Sequence, residues 1–258
     1  MEVKILNSDT LKNLYKNHGE FACVCYDTDK KYAEKVGKSC NESGHMSGSR
    51  CEYIKFEISG VDRGTAEQCL RHEIGVKVPM EYQDNYYFED ITDINPSNIV
   101  KNMASFRYID KDGFEYTTPK NIENCEEAKE IYVDIMKKIN VARKNIKYYL
   151  EKNGIPSKKA NEDANFVLPR ATNTSFVIGF TPEALIQFMH KRLCTRAQDE
   201  IRNLAIEMKK CVAEINPSFS KELVPQCQYL LWCPENDKSC CAYPTKKELQ
   251  DKLYNRKE

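Results

Sequence analysis

The sequence predicts an α+β fold, in which a mixed sheet is packed by several helices. Apolar and polar residues alternate from Val3 to Ile5 and again from Ile54 to Ile58, which is the two-residue period of a half-buried strand. From Cys125 to Gly154 and from Thr195 to about Glu214, apolar residues recur instead at steps of three and four, which indicates helices. A few strands beside many helices are typical of the α+β class rather than of a doubly wound parallel sheet.

The length of the chain predicts a single domain over residues 1–258, with its own hydrophobic core. The 258 residues include 39 Lys plus Arg and 39 Asp plus Glu, so the formal net charge is zero. A neutral chain has no overall attraction to nucleic acid or to an anionic membrane, and no apolar run approaches the about 18 residues of a membrane span.

The 12 cysteines follow an N-terminus without an apolar signal region, so we expect a cytoplasmic protein with mostly reduced thiols.

Shorter helices and irregular segments complete the predicted organisation. Helices are expected at 62–74, with Asp62 as the N-cap, and at 157–166 and 182–193. A loop rich in Gly and Ser is expected at 41–50. The polar and aromatic segment at 77–100 shows no sustained period, and we interpret it as an insertion.

The tail at 217–258 is rich in cysteine and raises the question of a metal site. Cys227, Cys233, Cys240 and Cys241 are close in sequence but form no CxxC pair, and two adjacent cysteines rarely ligate one tetrahedral ion. The sequence therefore predicts no metal, with zinc in the tail as the alternative. Gly-rich phosphate loops and the HExxH and GxSxG motifs are absent.

Polar clusters suited to anion binding occur at three places. Gln68, Arg71 and His72 project from neighbouring positions of one helix face. An amide, a guanidinium and an imidazole can bind a phosphate or a base edge, although a solvated face with a Glu67–Arg71 pair explains the same pattern. The other two clusters are Asn102, Ser105 and Arg107, and Lys191, Arg192, Thr195, Arg196 and Gln198.

Taken in order, these pieces resemble the flavin-dependent thymidylate synthases. That family's signature is Arg-His-Arg followed, after seven residues, by Ser-x-Arg. Here Arg71-His72-Glu73 resembles the first half, and NMASFRY at 102–108 resembles the second. An insertion of 24 residues at 77–100 accounts for the split. The stretches GHMSGSRCEYIKFEISGVDRG, GIPSKKANEDANFVL, LCTRAQDEIRNLA and CPENDKSC extend the resemblance over most of the chain.

The resemblance implies an enzyme that methylates dUMP to dTMP. It implies a homotetramer with shared active sites, FAD as cofactor, and NADPH and methylenetetrahydrofolate as co-substrates. It assigns dUMP binding to Gln68, Arg71, Ser105, Arg107 and Arg192, with Ser105 and Arg192 as the catalytic candidates. It assigns FAD binding to Ser47, Arg71, His72, Glu73, Asn102, Thr181, Gln187 and Arg196.

Several positions depart from the family's pattern. Glu73 replaces the third motif arginine, and Ser175 lies where many members have a dUMP-binding arginine. Thr181 and Glu183 replace an Asn and an Arg, and Arg196 replaces a His. Because most of these positions concern the flavin, two alternatives stand beside thymidylate synthesis: a flavoenzyme acting on another pyrimidine nucleotide, and a non-catalytic nucleotide-binding or assembly homologue.

Overall fold

A single sheet forms the centre of the chain. The computed structural model describes residues 1–71, 99–107, 109–237, 240 and 243–254. Within them the strands are β1 (Glu2–Ile5), β2 (Ile54–Asp62), β3 (Ile99–Met103) and β4 (Asn173–Phe180), in the spatial order β1-β2-β4-β3. Each described pairing is antiparallel. The α+β class is confirmed, and the described part of the sheet is antiparallel rather than mixed.

Helices account for most of the remaining described residues. They are α1 (Ser8–Lys12), α2 (Leu14–Cys25), α3 (Ala33–Glu42), α4 (Arg63–Leu70), α5 (Lys120–Glu123), α6 (Glu126–Lys152), α7 (Ser157–Ala164), α8 (Pro182–Arg192), α9 (Asp199–Ile215), α10 (Pro217–Ser220), α11 (Gln226–Leu230) and α12 (Lys246–Tyr254). Short 3₁₀ helices occur at Lys30–Tyr32, Ser47–Cys51 and Asn165–Val167. No helix in the described ranges is long and apolar enough to cross a bilayer.

The main core lies between one face of the sheet and helices α4, α8 and α9. Alternate residues of β2 and β4 are buried, including Phe56, Ile178 and Phe180. From the helices, Phe188 and Met208 are among the residues that complete the same cluster. Burying a side chain of this size stabilises the fold by about 1.5–3 kcal/mol. This packing fixes the ends of α4 and α8, which carry the candidate dUMP-binding residues.

Helices α2 and α3 pack with their backbones in close contact. A Cβ atom at Gly19 would lie 1.7 Å from the carbonyl oxygen of Ala33, so a larger residue would force these helices apart. No local pattern predicted an element at residues 8–40. The loop expected at 41–50 also begins later than predicted, because α3 continues to Glu42 and a 3₁₀ helix begins at Ser47.

Most of the predicted elements are present, with shifted ends. The helix expected at 62–74 is α4, and Asp62 caps it by accepting a hydrogen bond from the Thr65 amide over 2.8 Å; residues 72–74 lie outside the described ranges. Ile99 and Val100, which we placed in the insertion, begin β3. Helix α9 begins at Asp199 rather than at residue 195, because a turn precedes it.

Candidate functional site

Ser105 and Arg107 lie in the segment directly after β3. The Ala104 amide donates to the Ser175 carbonyl over 2.9 Å, which continues the strand pairing by one residue. The Arg107 amide then donates to Ser105 Oγ over 3.3 Å. Both side chains are exposed. The predicted pair of a hydroxyl and a guanidinium is therefore brought together at the end of an edge strand of the described sheet.

The same segment lines a cavity of about 310 Å³ that also receives Arg63 and Thr174. Arg63 is the first residue of α4, and its guanidinium carbon lies 5.2 Å from the centre of the Phe106 ring. Thr174 is 3 % exposed, and its Oγ1 is buried without a hydrogen-bond partner among the described residues. Two arginines, a serine and a threonine thus line one cavity, and their side chains are of the types that bind a phosphate.

Sequence reasoning found two of these four residues and missed the others. Arg63 and Thr174 are far apart in the chain, and pairing of Asp62 with Asn173 across β2 and β4 brings them together. No local pattern encodes that contact. The sequence contains a weak indication that Arg63 is a site residue, because it follows the helix cap at the point where a strand ends.

A buried arginine, Arg143 of α6, positions the segment after β3. It is 1 % exposed. Its Nε donates to Asn165 Oδ1 over 2.7 Å, and its Nη2 donates to Asn161 Oδ1 over 2.6 Å and to Asp110 Oδ1 over 2.7 Å. Asn165 in turn donates to the Phe106 carbonyl. Since a buried charge is tolerated only when it is paired and hydrogen-bonded, this network fixes the loop of Arg107 against α6 and α7.

Helix α7 brings a carboxylate to Arg107. Arg107 Nε lies 3.1 Å from Glu162 Oε2, and Lys159 Nζ lies 3.6 Å from the same oxygen. Glu162 is the more buried partner, since 23 % of its side chain is exposed against 58 % for Arg107. Glu162 was not predicted from the sequence as a site residue.

Gln68 and Arg192 lie near each other at the other end of α4. Gln68 Nε2 donates to Gln198 Oε1 over 2.6 Å, which joins α4 to the turn before α9. Arg192, the last residue of α8, is half-buried, and its Nε has no hydrogen-bond partner among the described residues. Burial lowers the pKa of Arg192, and the buried thiol of Cys69 on α4 lies within electrostatic range.

The candidate dUMP residues are thus divided between two cavities of one chain. Ser105 and Arg107 line the 310 Å³ cavity, whereas Arg192 lines a separate cavity of about 510 Å³. Arg71 is the exposed C-cap of α4, at the same end of the helix as Gln68. The Lys101 ammonium donates to the Leu70 carbonyl over 2.7 Å and so holds the end of α4 against β3.

The described FAD candidates are more widely spread. Ser47 and Asn102 are exposed, at the start of a 3₁₀ helix and on β3. Thr181 is fully buried, and its Oγ1 accepts a hydrogen bond from the Ala184 amide over 3.3 Å at the start of α8. Gln187 and Arg196 are exposed and line different cavities. His72 and Glu73 lie outside the described residues.

Comparison with known proteins decides the family. The model of the family described as thymidylate synthase complementing protein matches residues 10–218. The chain belongs to this family. It is similar to the flavin-dependent thymidylate synthase of Nitratidesulfovibrio vulgaris, with 31 % identity over 81 % of this chain and 76 % of that protein. The flavin-dependent thymidylate synthase of Clostridium tetani is also 31 % identical, over 80 % of this chain and 78 % of that protein.

One departure of this family member from the expected pattern has a structural counterpart. Glu183, at a position where the resemblance implies an arginine, binds Arg50 through both of its oxygens, at 2.7 and 3.3 Å. The negative charge of Glu183 is therefore neutralised by a guanidinium from the segment after Ser47. Paired contacts of this kind fix the orientation of both groups.

Glu183 and Gln187 line a third cavity, of about 550 Å³. Glu222 also lines it and accepts hydrogen bonds from Tyr15 over 3.0 Å and from Asn41. Burial raises the pKa of Glu222, and the two hydrogen bonds oppose that shift. Asn41 Oδ1 is buried here without a partner among the described residues.

Cysteines gather in the 510 Å³ cavity. Cys227, Cys233 and Cys240 of the tail line it together with Cys194, which follows Arg192. Within the described residues, no three His, Cys, Asp or Glu side chains lie close enough to hold a metal ion. Cys241 lies outside those residues.

Proposed function

We propose that the chain is a flavin-dependent thymidylate synthase that converts dUMP to dTMP. Methylenetetrahydrofolate would supply the one-carbon unit, and NADPH would reduce the FAD. The observation that carries the proposal is the 310 Å³ cavity, where the second half of the family motif meets additional phosphate-binding groups. Membership of the family supports the same activity.

The 5′-phosphate of dUMP would bind in this cavity. Arg107 offers a planar fork of N–H donors, and Ser105 adds a hydroxyl beside it. Arg63 contributes a second guanidinium from the start of α4. Charge-assisted hydrogen bonds of this kind are roughly twice as strong as neutral ones, so binding of the phosphate would fix the position of the whole nucleotide.

The pyrimidine ring would lie against Arg192. The Nε of this side chain is buried and has no hydrogen-bond partner among the described residues, so it can donate to a ring carbonyl oxygen. A cation in a half-buried position stabilises negative charge on the ring more strongly than one in water. Gln68, oriented by Gln198, would hold the base edge.

The residues around the 550 Å³ cavity fit a flavin cofactor. Gln187 offers an amide, Met46 and Ile186 offer apolar surface, and the buried Asn41 Oδ1 offers an acceptor. Arg50 binds Glu183, which lines this cavity, and so brings a cation to a residue of the cavity lining. When bound, the flavin would supply the hydride that completes the methyl group. The protein's own groups would hold the two ligands in register and exclude water.

We also propose self-association as a homotetramer. Helix α6 exposes a series of apolar side chains, Ile131, Ile135, Val141, Tyr148 and Tyr149. Large exposed apolar surfaces commonly mark interfaces. Shared active sites would also explain why the candidate dUMP residues of one chain are divided between two cavities.

The test is turnover by the purified protein with FAD, NADPH, methylenetetrahydrofolate and dUMP, followed by the mass of the nucleotide. We expect the gain of one methyl group, abolished by Arg107→Ala and by Arg192→Ala. Lys210→Ala, at an exposed residue of α9, is the control and should retain activity. Flavin binding without product would favour another pyrimidine substrate, and absence of flavin binding would favour the non-catalytic homologue.

A further inference from the structure

Glu162 accepts the Nε–H of Arg107, whose guanidinium the phosphate of a nucleotide would use. Its Oε2 accepts from Arg107 Nε over 3.1 Å, and Lys159 Nζ lies 3.6 Å away. A carboxylate and a phosphate compete for the same fork of N–H donors because both bind it through planar pairs of oxygens. Arg107 therefore cannot give its Nε–H to a phosphate while Glu162 retains it.

The cavity contains groups that favour the exchange. Arg63 and Thr174 line it with Arg107, and Thr174 Oγ1 is buried without a hydrogen-bond partner among the described residues. A buried hydroxyl that lacks a partner costs about 1–3 kcal/mol. A phosphate oxygen would satisfy this hydroxyl, whereas Glu162 on α7 is not among the residues that line the cavity.

We propose that Glu162 is an internal competitor for the substrate phosphate, displaced from Arg107 when the nucleotide binds, with Arg63 and Thr174 as additional phosphate ligands. This inference rests on the proposed phosphate site. It makes binding selective for a phosphorylated nucleotide, because a nucleoside carries no group that can replace the carboxylate. Glu162 keeps its second cation, Lys159, and so remains paired after the exchange.

The arrangement around Arg143 confines the exchange to side chains. Arg143 binds Asn161 and Asn165, which flank Glu162 along the chain, and Asp110, which follows Arg107. These contacts hold the backbones of α7 and of the segment after β3 in place. Displacement of Glu162 then requires only new side-chain rotamers.

The test compares phosphate affinity in the full chain and in Glu162→Gln by calorimetric titration with inorganic phosphate, dUMP and deoxyuridine. Removing a competing carboxylate from a partly exposed pair should tighten the binding of phosphate and dUMP by about three-fold at low salt, and leave deoxyuridine binding unchanged. Glu162→Ala, a good helix former, should act in the same direction and covers the case in which the glutamine variant fails to fold.

Asp163→Asn is the matched control. This substitution removes the same charge one residue along α7. The native Asp163 carboxylate lies 3.1 Å from Lys159 Nζ and makes no contact with Arg107 within the described residues. Equal gains in Glu162→Gln and Asp163→Asn would show a general electrostatic effect and overturn the proposal, as would unchanged or weaker binding in Glu162→Gln. When Glu162→Gln is combined with Arg107→Ala, the gain in phosphate affinity should disappear.

Failure of the competitor role of Glu162 and failure of the proposed substrate give different experimental results. If turnover of dUMP is absent but Glu162→Gln still tightens inorganic phosphate, the competitor role stands and the proposed substrate is wrong. If dUMP is turned over and Glu162→Gln leaves phosphate affinity unchanged, the competitor role is wrong and the proposed function stands.

Discussion

Gln68 on α4 donates its side-chain amide to Gln198, the residue before α9, over 2.6 Å. The two residues are 130 positions apart in the chain. Their hydrogen bond orients the Gln68 amide next to the region of Arg192, where we place the pyrimidine ring.

Gln198→Ala should therefore weaken dUMP recognition without unfolding the protein. A neutral hydrogen bond contributes about 1 kcal/mol, so we expect KM for dUMP to rise about five-fold. Gln250→Ala, at an exposed glutamine of α12 that lines none of the cavities described, is the control. Steady-state kinetics check the prediction, and an unchanged KM in Gln198→Ala would contradict the orienting role.

Thr174→Val should weaken dUMP binding without lowering the thermal stability of the protein. The substitution keeps the shape of the side chain and removes a buried hydroxyl that has no partner among the described residues, so the Tm should stay the same or rise. If the hydroxyl binds phosphate, KM for dUMP should increase about five-fold in the same variant. Thermal melts and kinetics measure both effects, and a fall in Tm with normal kinetics would assign Thr174 a purely structural role.

Arg143→Met should destabilise the protein strongly. The change leaves Asn161 and Asn165 without the guanidinium that they bind in a buried position, and breaking a buried network of this kind costs about 3–5 kcal/mol. Lys144→Met, which removes an exposed pair with Asp112, should cost at most about 1 kcal/mol. Urea unfolding measures both values, and similar midpoints for the two variants would contradict the role of Arg143.

Asp110 should make stability depend on pH in the acid range. Hydrogen bonds from Lys147 and Arg143 lower the pKa of Asp110 from 3.8 to about 2. Because the folded pKa lies below the unfolded one, the stabilisation is present above about pH 4 and is lost as the pH falls toward 2. The difference in unfolding free energy between the wild type and Asp110→Asn should shrink over this interval; a difference that stays constant would exclude the effect.

The sequence predicted the parts of the fold that have local patterns. Alternation identified β1 and β2, and helical periodicity identified α6 and α9. Strand β4 was missed, although Thr174, Phe176, Ile178 and Phe180 alternate inward along it. Strand β3 was missed because it begins inside the segment interpreted as an insertion.

Prediction of the candidate site was limited by distance along the chain. Ser105 and Arg107 are two residues apart and could be recognised as a pair. Arg63 joins them only because β2 pairs with β4, and Glu162 only because the Arg143 network packs α7 against the segment after β3. Such contacts arise from tertiary packing and leave no periodic signal in the sequence.

Transfer of a labelled carbon tests the central claim most directly. The protein, with its flavin reduced by NADPH, would be mixed with dUMP and with methylenetetrahydrofolate carrying ¹³C in the methylene group. The account predicts that the label appears in the C5 methyl group of dTMP, and that Arg107→Ala prevents this. Reduced flavin that is oxidised while dUMP remains unlabelled would contradict the assignment as a thymidylate synthase.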